Sequence, residues 1–369
     1  MDTPSDFNEE FFALLTENRE DLLGAWVEQA SEEQRKAGFL QAVRMGWMPG
    51  VKRLVTRVDQ KTVDHGLTFA VVAHDLAAVD FLAPLATSAH CSGAAIESAA
   101  HKGAVRTVEL LVSHTSRTIK NGVLAGAAAK GQMEIVRLVR PLSTEMEVNN
   151  ALVAAAKEGR SAIVQELLPH CLFTNYRNGA LVAAAKNGWV DTVDVLLPVC
   201  DAPGVNNALS HAAAAGYIDV VRQLVAHCDP KASNSLALRA AAQNGYVECV
   251  ELLIPLSDPL SNNSAALREA AANGHLGCVK KLLPVSNPKE TPMLSALYWA
   301  LGHGQDRCAE YLYRFSDPLA VLWYLENEKE PKAKVLSEMM ARRQKQTLHQ
   351  QIAKRRGDNT EAEVVRRKL

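Results

Sequence analysis

Between residues 39 and 318 the chain alternates two short apolar patterns with a fixed beat. In the first, a pair of small apolar residues precedes a glycine by four and three places: Ala99-Ala100, Ala127-Ala128, Ala155-Ala156, Ala184-Ala185, Ala212-Ala213, Ala241-Ala242 and Ala270-Ala271. In the second, a valine follows that glycine by five places and a leucine by eight, as in Val164 and Leu167 or Val250 and Leu253. The glycine stands at 46, 103, 131, 159, 188, 216, 245, 274 and 304, with Asp75 in the one vacant slot, so the step is 28 to 30 residues. Val79 and Leu82 come into line if one residue is deleted after Asp75.

Each beat predicts two helices. Asn121, Asn149, Asn178, Asn206, Ser235 and Ser264 lie ten before the glycine, where a side-chain oxygen would cap a first helix by accepting an unpaired backbone N–H. The glycine closes that helix, because it adopts the left-handed conformation without a Cβ clash. The Val and Leu then face inward on a second helix. Pro141, Pro169, Pro198, Pro255 and Pro284 stop it, since proline cannot continue a helix. Tight polar turns follow, such as Ser257-Asp258-Pro259.

Residues 1–38 read as an acidic helical cap, with Phe11, Phe12, Leu14, Leu15, Leu22, Leu23, Trp26 and Val27 as its apolar stripe over residues 7–30. Ser31-Glu32-Glu33-Gln34 has the form of a capping box. Residues 39–318 form the array. Residues 319–369 read as capping helices, one over 332–356, and a basic tail. A stacked array exposes its apolar ends unless capped, which is why both flanks are expected to cover it.

On these residues the sequence resembles the ankyrin-repeat family, most visibly over Leu238–Leu253, with Ala240-Ala241-Ala242 before Gly245 and Val250-Glu251-Leu252-Leu253 after it. The resemblance implies an all-α solenoid of about ten helix-turn-helix repeats. The family's period is about 33, and its Thr-Pro-Leu-His opening is replaced here by pairs such as Ala151-Leu152. The missing residues fall where the family places a β-hairpin, so the fingers are read as shortened to tight turns. Binding then shifts from hairpin tips to the concave face of the first helices.

Composition agrees with such a stack. Aromatics are 5% of the chain and hydrophobic residues 48%, so Ala, Leu and Val must build the core. Net charge is −1 overall, yet residues 1–45 hold ten acids against four bases, and residues 340–369 nine bases against three acids. No segment approaches 18 apolar residues in a row, which leaves no candidate membrane-spanning helix. The acidic N-terminus lacks a basic-then-apolar leader, so a cytoplasmic setting with reduced cysteines is expected.

Little of the sequence points to chemistry. Cys171, Cys200 and Cys228 lie twelve after their glycines, and Cys249, Cys278 and Cys308 four after theirs. They are one per repeat and too far apart to share a bond or a metal, which reads as buried structural thiols. Cys91 alone falls outside the pattern. His170-Cys171 and His227-Cys228 look like reactive pairs but are the same register two repeats apart. No Cys-x-x-Cys, phosphate loop or metalloprotease motif occurs, so neither a cofactor nor an enzyme is expected.

The candidate binding residues lie just before the glycines. Arg44, His101, Lys102, Lys130, Lys157 and Lys186 put bases on repeats one, three, four, five and six, a ladder suited to a protein partner with an acidic surface. The competing reading is local: a lysine in the last turn offsets the helix dipole. Arg239, Arg268, Tyr298 and Trp299 mark a second inner-helix position, and the aromatic pair suits either a binding anchor or packing under the C-terminal cap. Trp47, Trp189, Tyr217, Tyr246 and His275, each directly after its glycine, read as braces between turns. The expected function is protein–protein binding. A secreted effector that recruits a host target, acting in a host cytoplasm or nucleus, is a second reading. Nucleic-acid binding through the ladder and the tail, with Arg342, Lys354 and Arg366 among its bases, is a third.

Overall fold

The computed structural model describes residues 11–86, 89–112, 121–286 and 291–316, with Val321 and a few positions between 335 and 345. Residues 11–16 are helical, followed by α1 (Glu20–Gln29). Ten helix pairs come next: α2 and α3 (Glu32–Arg44, Met48–Leu54), α4 and α5 (Gln60–Val72, Leu76–Leu82), α6 and α7 (Ala89–His101, Val105–Val112), α8 and α9 (Asn121–Lys130, Met133–Val139), and α10 and α11 (Glu145–Lys157, Ser161–Leu167). The series continues with α12 and α13 (Thr174–Lys186, Val190–Leu196), α14 and α15 (Ala202–Ala215, Ile218–Leu224), α16 and α17 (Ala232–Asn244, Val247–Leu253), α18 and α19 (Ser261–Ala272, Leu276–Leu282), and α20 and α21 (Thr291–Gly302, Asp306–Phe315). No strand occurs among the described residues. The chain is an all-α, ankyrin-like solenoid with tight turns at the hairpin positions. It forms two compact units, Met1–Gly204 and Val205–Leu369.

The paired alanines and the Val/Leu of each repeat are fully buried, Ala155, Ala156, Val164 and Leu167 among them. Alanine lets successive first helices approach closely, and the longer second-helix side chains fill the space behind. Short 3-10 turns follow the second helices at Arg140–Leu142, Leu168–His170, Leu197–Val199 and Leu283–Val285, each with its proline inside the turn. Proline has no N–H to donate, so the α-helix ends where it enters. At the N-terminal end, Phe11 packs on Trp26 (4.5 Å between centroids) and Trp47 (5.9 Å), and Trp47 Nε1 donates to Asn18 Oδ1 (2.7 Å). The Ser31–Gln34 capping box forms as expected. Phe12 and Leu22 depart from the predicted stripe and are exposed. The predicted helix over 332–356 falls mostly outside the described residues, as do Lys354 and Arg366 of the tail.

All nine recurrent glycines have positive φ, from +66° to +84°. The vacant slot is filled by His74 (φ +59°) and not by Asp75. Asp75 instead caps α5, its Oδ1 accepting from the N–H groups of Ala77 and Ala78. With His74 in the slot, Val79 and Leu82 fall five and eight places on, and the second repeat needs no deletion. The sequence misled because aspartate is a common residue at glycine-like positions, whereas here its carboxylate is worth more as a cap.

The predicted helix caps ten before the glycine are also corrected. Asn149, Asn178 and Asn206 lie inside α10, α12 and α14, and α10 begins earlier, with Thr144 and Glu147 as its capping box. Ser235 and Ser264 end left-handed turns, Ser233–Ser235 and Asn262–Ser264, with φ between +51° and +58°. Asn121's side chain is outside the described set. Asn178, Asn206 and Ser235 reach across to the following repeat. Asn178 Oδ1 accepts from Asp201 N (3.4 Å) while its Nδ2 donates to Asp201 Oδ1 (2.7 Å). Asn206 Oδ1 accepts from Asp229 N (3.0 Å), and Ser235 Oγ from Asp258 N (2.9 Å). Each link spans 23 residues, so one side chain holds the entrance of the next first helix.

The glycine is covered by the neighbour as well. A Cβ on Gly159 would lie 2.5 Å from the Trp189 ring, and the same register puts Arg160 over Gly131, Tyr246 over Gly216 and His275 over Gly245. Gly159→Ala therefore combines left-handed strain with a ring displacement. The expected loss is about 2 kcal/mol or more, against about 1 kcal/mol for Gly304→Ala, whose Cβ meets nothing within 4 Å. His74→Gly should raise stability by about 1 kcal/mol for the same reason in reverse. Urea unfolding of the three variants tests the ordering, and a loss for His74→Gly would contradict it.

Candidate partner-binding surface

The basic residues close the first helices, where four backbone carbonyls have no partner within the helix. Some are spent there. Lys102 Nζ donates to Val72 O (3.0 Å), the last carbonyl of α4. His101 Nδ1 lies 3.2 Å from Glu97 O. The Arg44 guanidinium sits 4.4 Å from the centre of the Phe69 ring. In later repeats the residue after the glycine does this work for its neighbour: Gln132 Nε2 donates to His101 O (3.3 Å), Arg160 Nε to Ala129 O (3.1 Å), and Trp189 Nε1 to Lys157 O (2.8 Å). The bracing expected for Trp189 is thus a hydrogen bond as well as a stacking contact.

Lys130, Lys157 and Lys186 are different. They end α8, α10 and α12, they are exposed, and among the described residues their ammonium groups have no hydrogen bond or ion pair. The carbonyls they might have capped are already served from the next repeat at Ala129 and Lys157. Three neighbouring helix ends in the Met1–Gly204 unit therefore present unpaired positive charge.

The second set of candidates divides. Arg239 donates through Nε and Nη2 to Glu269 Oε1 (3.2 and 2.7 Å), an interrepeat pair with each side chain about a quarter exposed (25% and 26%). Arg268 Nη1 donates to Asn263 O (3.2 Å), within the left-handed turn Asn262–Ser264. Trp299 is 43% exposed and stacks on His303 (5.5 Å, 23°), with Tyr298 edge-on at 6.3 Å.

Sequence reading passed over a cluster at the opposite end of α10 and α12. Met146, Leu172 and Phe173 are 60%, 64% and 50% exposed. The Tyr176 hydroxyl lies 3.3 Å from Met146 Sδ, and the Phe173 and Tyr176 rings meet edge to face at 6.5 Å. A signal was available. The turns Cys200-Asp201 and Cys228-Asp229 have Cys171-Leu172 as their counterpart. Without the aspartate, α12 has Phe173 at its N-cap and no side-chain cap. Asn149, 23 residues before Leu172, keeps its Oδ1 buried and unpartnered. A missing cap costs about 1 kcal/mol, and a buried unpaired acceptor about 1–3 kcal/mol.

The six described cysteines are poorly placed to act as nucleophiles. Burial pushes Cys200 up to about 12, with Asp201 adding to the effect, and Cys228, Cys249 and Cys278 up to about 11. Cys171 and Cys308 are raised by burial too. His170 Nε2 lies 2.7 Å from Arg140 Nη1, so a neighbouring repeat engages the ring. Among the described residues no group of three His, Cys, Asp or Glu side chains is placed to hold a metal, and no helix is long and apolar enough to cross a membrane. Cys91's side chain is outside the described set.

Helix pairs stacked neighbour to neighbour within each unit define a repeat protein. A family model described as ankyrin repeats matches three times, over residues 124–203, 199–263 and 238–320. These matches span more than half of the chain, and the chain belongs to the ankyrin-repeat family. No curated protein matches it. Ankyrin repeats generally mediate protein–protein interaction, and the family is typically non-enzymatic.

A thiol raised by two pH units carries about a hundredfold less thiolate at neutral pH. Disulfide-exchange labelling at pH 8, resolved residue by residue, should be about a hundredfold slower at Cys228, Cys249 and Cys278 in the native chain than in urea. The sign for stability follows: the folded thiols hold their protons longer, so stability present below pH 9 is lost as pH rises toward 11. Fast native labelling, or melting insensitive to that window, would sink the burial argument.

Proposed function

We propose that this protein is a non-catalytic binding module whose partner is a protein with an acidic surface, held by the first-helix ends of repeats four to six. The observation that carries this reading is the trio Lys130, Lys157 and Lys186, exposed and unpaired on consecutive repeats. Repetition places the charges at regular intervals along one face, and a partner carboxylate meets a group that has no internal bond to break. Lysines in last turns also offset helix dipoles, but that contribution acts on stability, whereas partner binding acts on affinity. The domain reading follows the same logic: residues 1–38 cap the stack, 39–318 bind, and 319–369 close it and carry the basic tail.

The test is Lys130→Glu/Lys157→Glu/Lys186→Glu, compared with the parent chain in pull-downs from native-cell lysate, with and without nuclease. The expected result is a stoichiometric protein retained in both arms by the parent and reduced at least tenfold by the variant, while circular dichroism shows the array intact. Each exposed pair contributes about 0.2–1 kcal/mol, so three reversals suffice for that change. Unchanged retention removes the trio from the function. Recovery that vanishes with nuclease would favour nucleic acid, whose binding also falls steeply with salt.

A further inference from the structure

The entrance to α12 breaks rules that the next three entrances keep. At Asp201, Asp229 and Asp258 the turn carboxylate accepts an N–H from the start of the next helix, and the aspartate's own N–H is held by the preceding repeat. Leu172 and Phe173 give up both bonds and leave two large apolar side chains in water. Arg177 Nη2 donates to Leu172 O (3.0 Å), which holds the turn but covers neither apolar side chain, and a local sacrifice of this kind is expected where a surface serves binding. Met146 and Tyr176 extend the patch onto α10 and α12.

This patch is continuous with the lysines through the helices themselves. Met146 and Lys157 are eleven residues apart on α10, about three turns, so they share one face about 16 Å apart along the axis. Between them Asn150 is exposed and Val153 and Ala154 are half-buried. On α12 the run from Tyr176 to Lys186 has Gly179 exposed and Val182 and Ala183 half-buried. One surface thus has an apolar end, a floor of mostly small side chains and a positively charged end.

We infer that this surface takes a single peptide segment of the partner, with carboxylates over Lys157 and Lys186 and one large apolar or aromatic side chain over Met146, Leu172 and Phe173. Charge complementarity fixes one end and the uncovered apolar cluster the other. The separation sets the spacing in the peptide: about five residues if extended, about eleven if helical. This deepens the proposed function and rests on its lysines.

Three fluorescein-labelled peptides test it by anisotropy with the full chain. The first carries four glutamates, a five-residue Gly/Ser spacer and Trp-Leu. The second has Ser-Ser for Trp-Leu, and the third has serines for the glutamates. The first should bind at least tenfold tighter than the second or third. Leu172→Ser/Phe173→Ser, at exposed positions, should bring the first down to the second and leave the second unchanged. Lys157→Glu/Lys186→Glu should weaken both acidic peptides. Equal binding of the first and second, or indifference of the first to the double serine variant, overturns the inference. If the second still binds through the lysines, the proposed function survives that result. If neither acidic peptide binds, or neither responds to charge reversal, both readings fall.

Discussion

The structure depends on one contact repeated along the chain: a left-handed residue ends each first helix, and at most of the recurrent glycines a side chain of the next repeat lies over it. At Gly159 the cover is the Trp189 ring, and the same indole donates to Lys157 O. At Gly131 it is Arg160, bound to Ala129 O. The covering residue varies from aspartate to tryptophan because the position asks only for a group that spans the glycine, and best of all one that also donates to an open carbonyl. A repeat cannot complete its own helix end, so each is stable only in the presence of the next.

A second coupling runs at the other end of the first helix, through Asn178, Asn206 and Ser235 to the aspartates 23 residues on. Together the two ends fix the rise from one repeat to the next with hydrogen bonds, while the buried alanines set how closely the helices approach. The same economy decides which polar residues remain available. Lys102 and Arg239 are bound within the array, whereas Lys130, Lys157 and Lys186 stay open to solvent, with the carbonyls of Ala129 and Lys157 served from the next repeat. The break in the second coupling at Asn149 and Leu172 falls on the same two repeats as Lys157 and Lys186.

The six described cysteines belong to the packing. Small, weakly polar side chains recur at fixed register, and burial holds their thiols protonated well beyond neutral pH. Their regular spacing is a product of the repeat and carries no separate message.

Much of this was legible in the sequence. The period, the helix pairs, the left-handed glycines, the alanine core and the Ser31 capping box follow from local rules, because each depends on residues within a turn or two of one another. Lys130, Lys157 and Lys186 were legible as a ladder for the same reason. What the linear pattern could not assign was the partner of each polar group. Asn178 looked like a cap for its own helix, Asp75 like a stand-in for glycine, and Lys102 like a free base. For Asn178 and Lys102 the role was decided by a residue 23 and 30 positions away, brought within hydrogen-bond distance only by stacking, whereas Asp75 was claimed locally as the cap of α5. The sequence by itself determined the repeat and its secondary structure. The tertiary structure decided which charges are spent and which are exposed, because a hydrogen bond between repeats has no signature in either repeat alone.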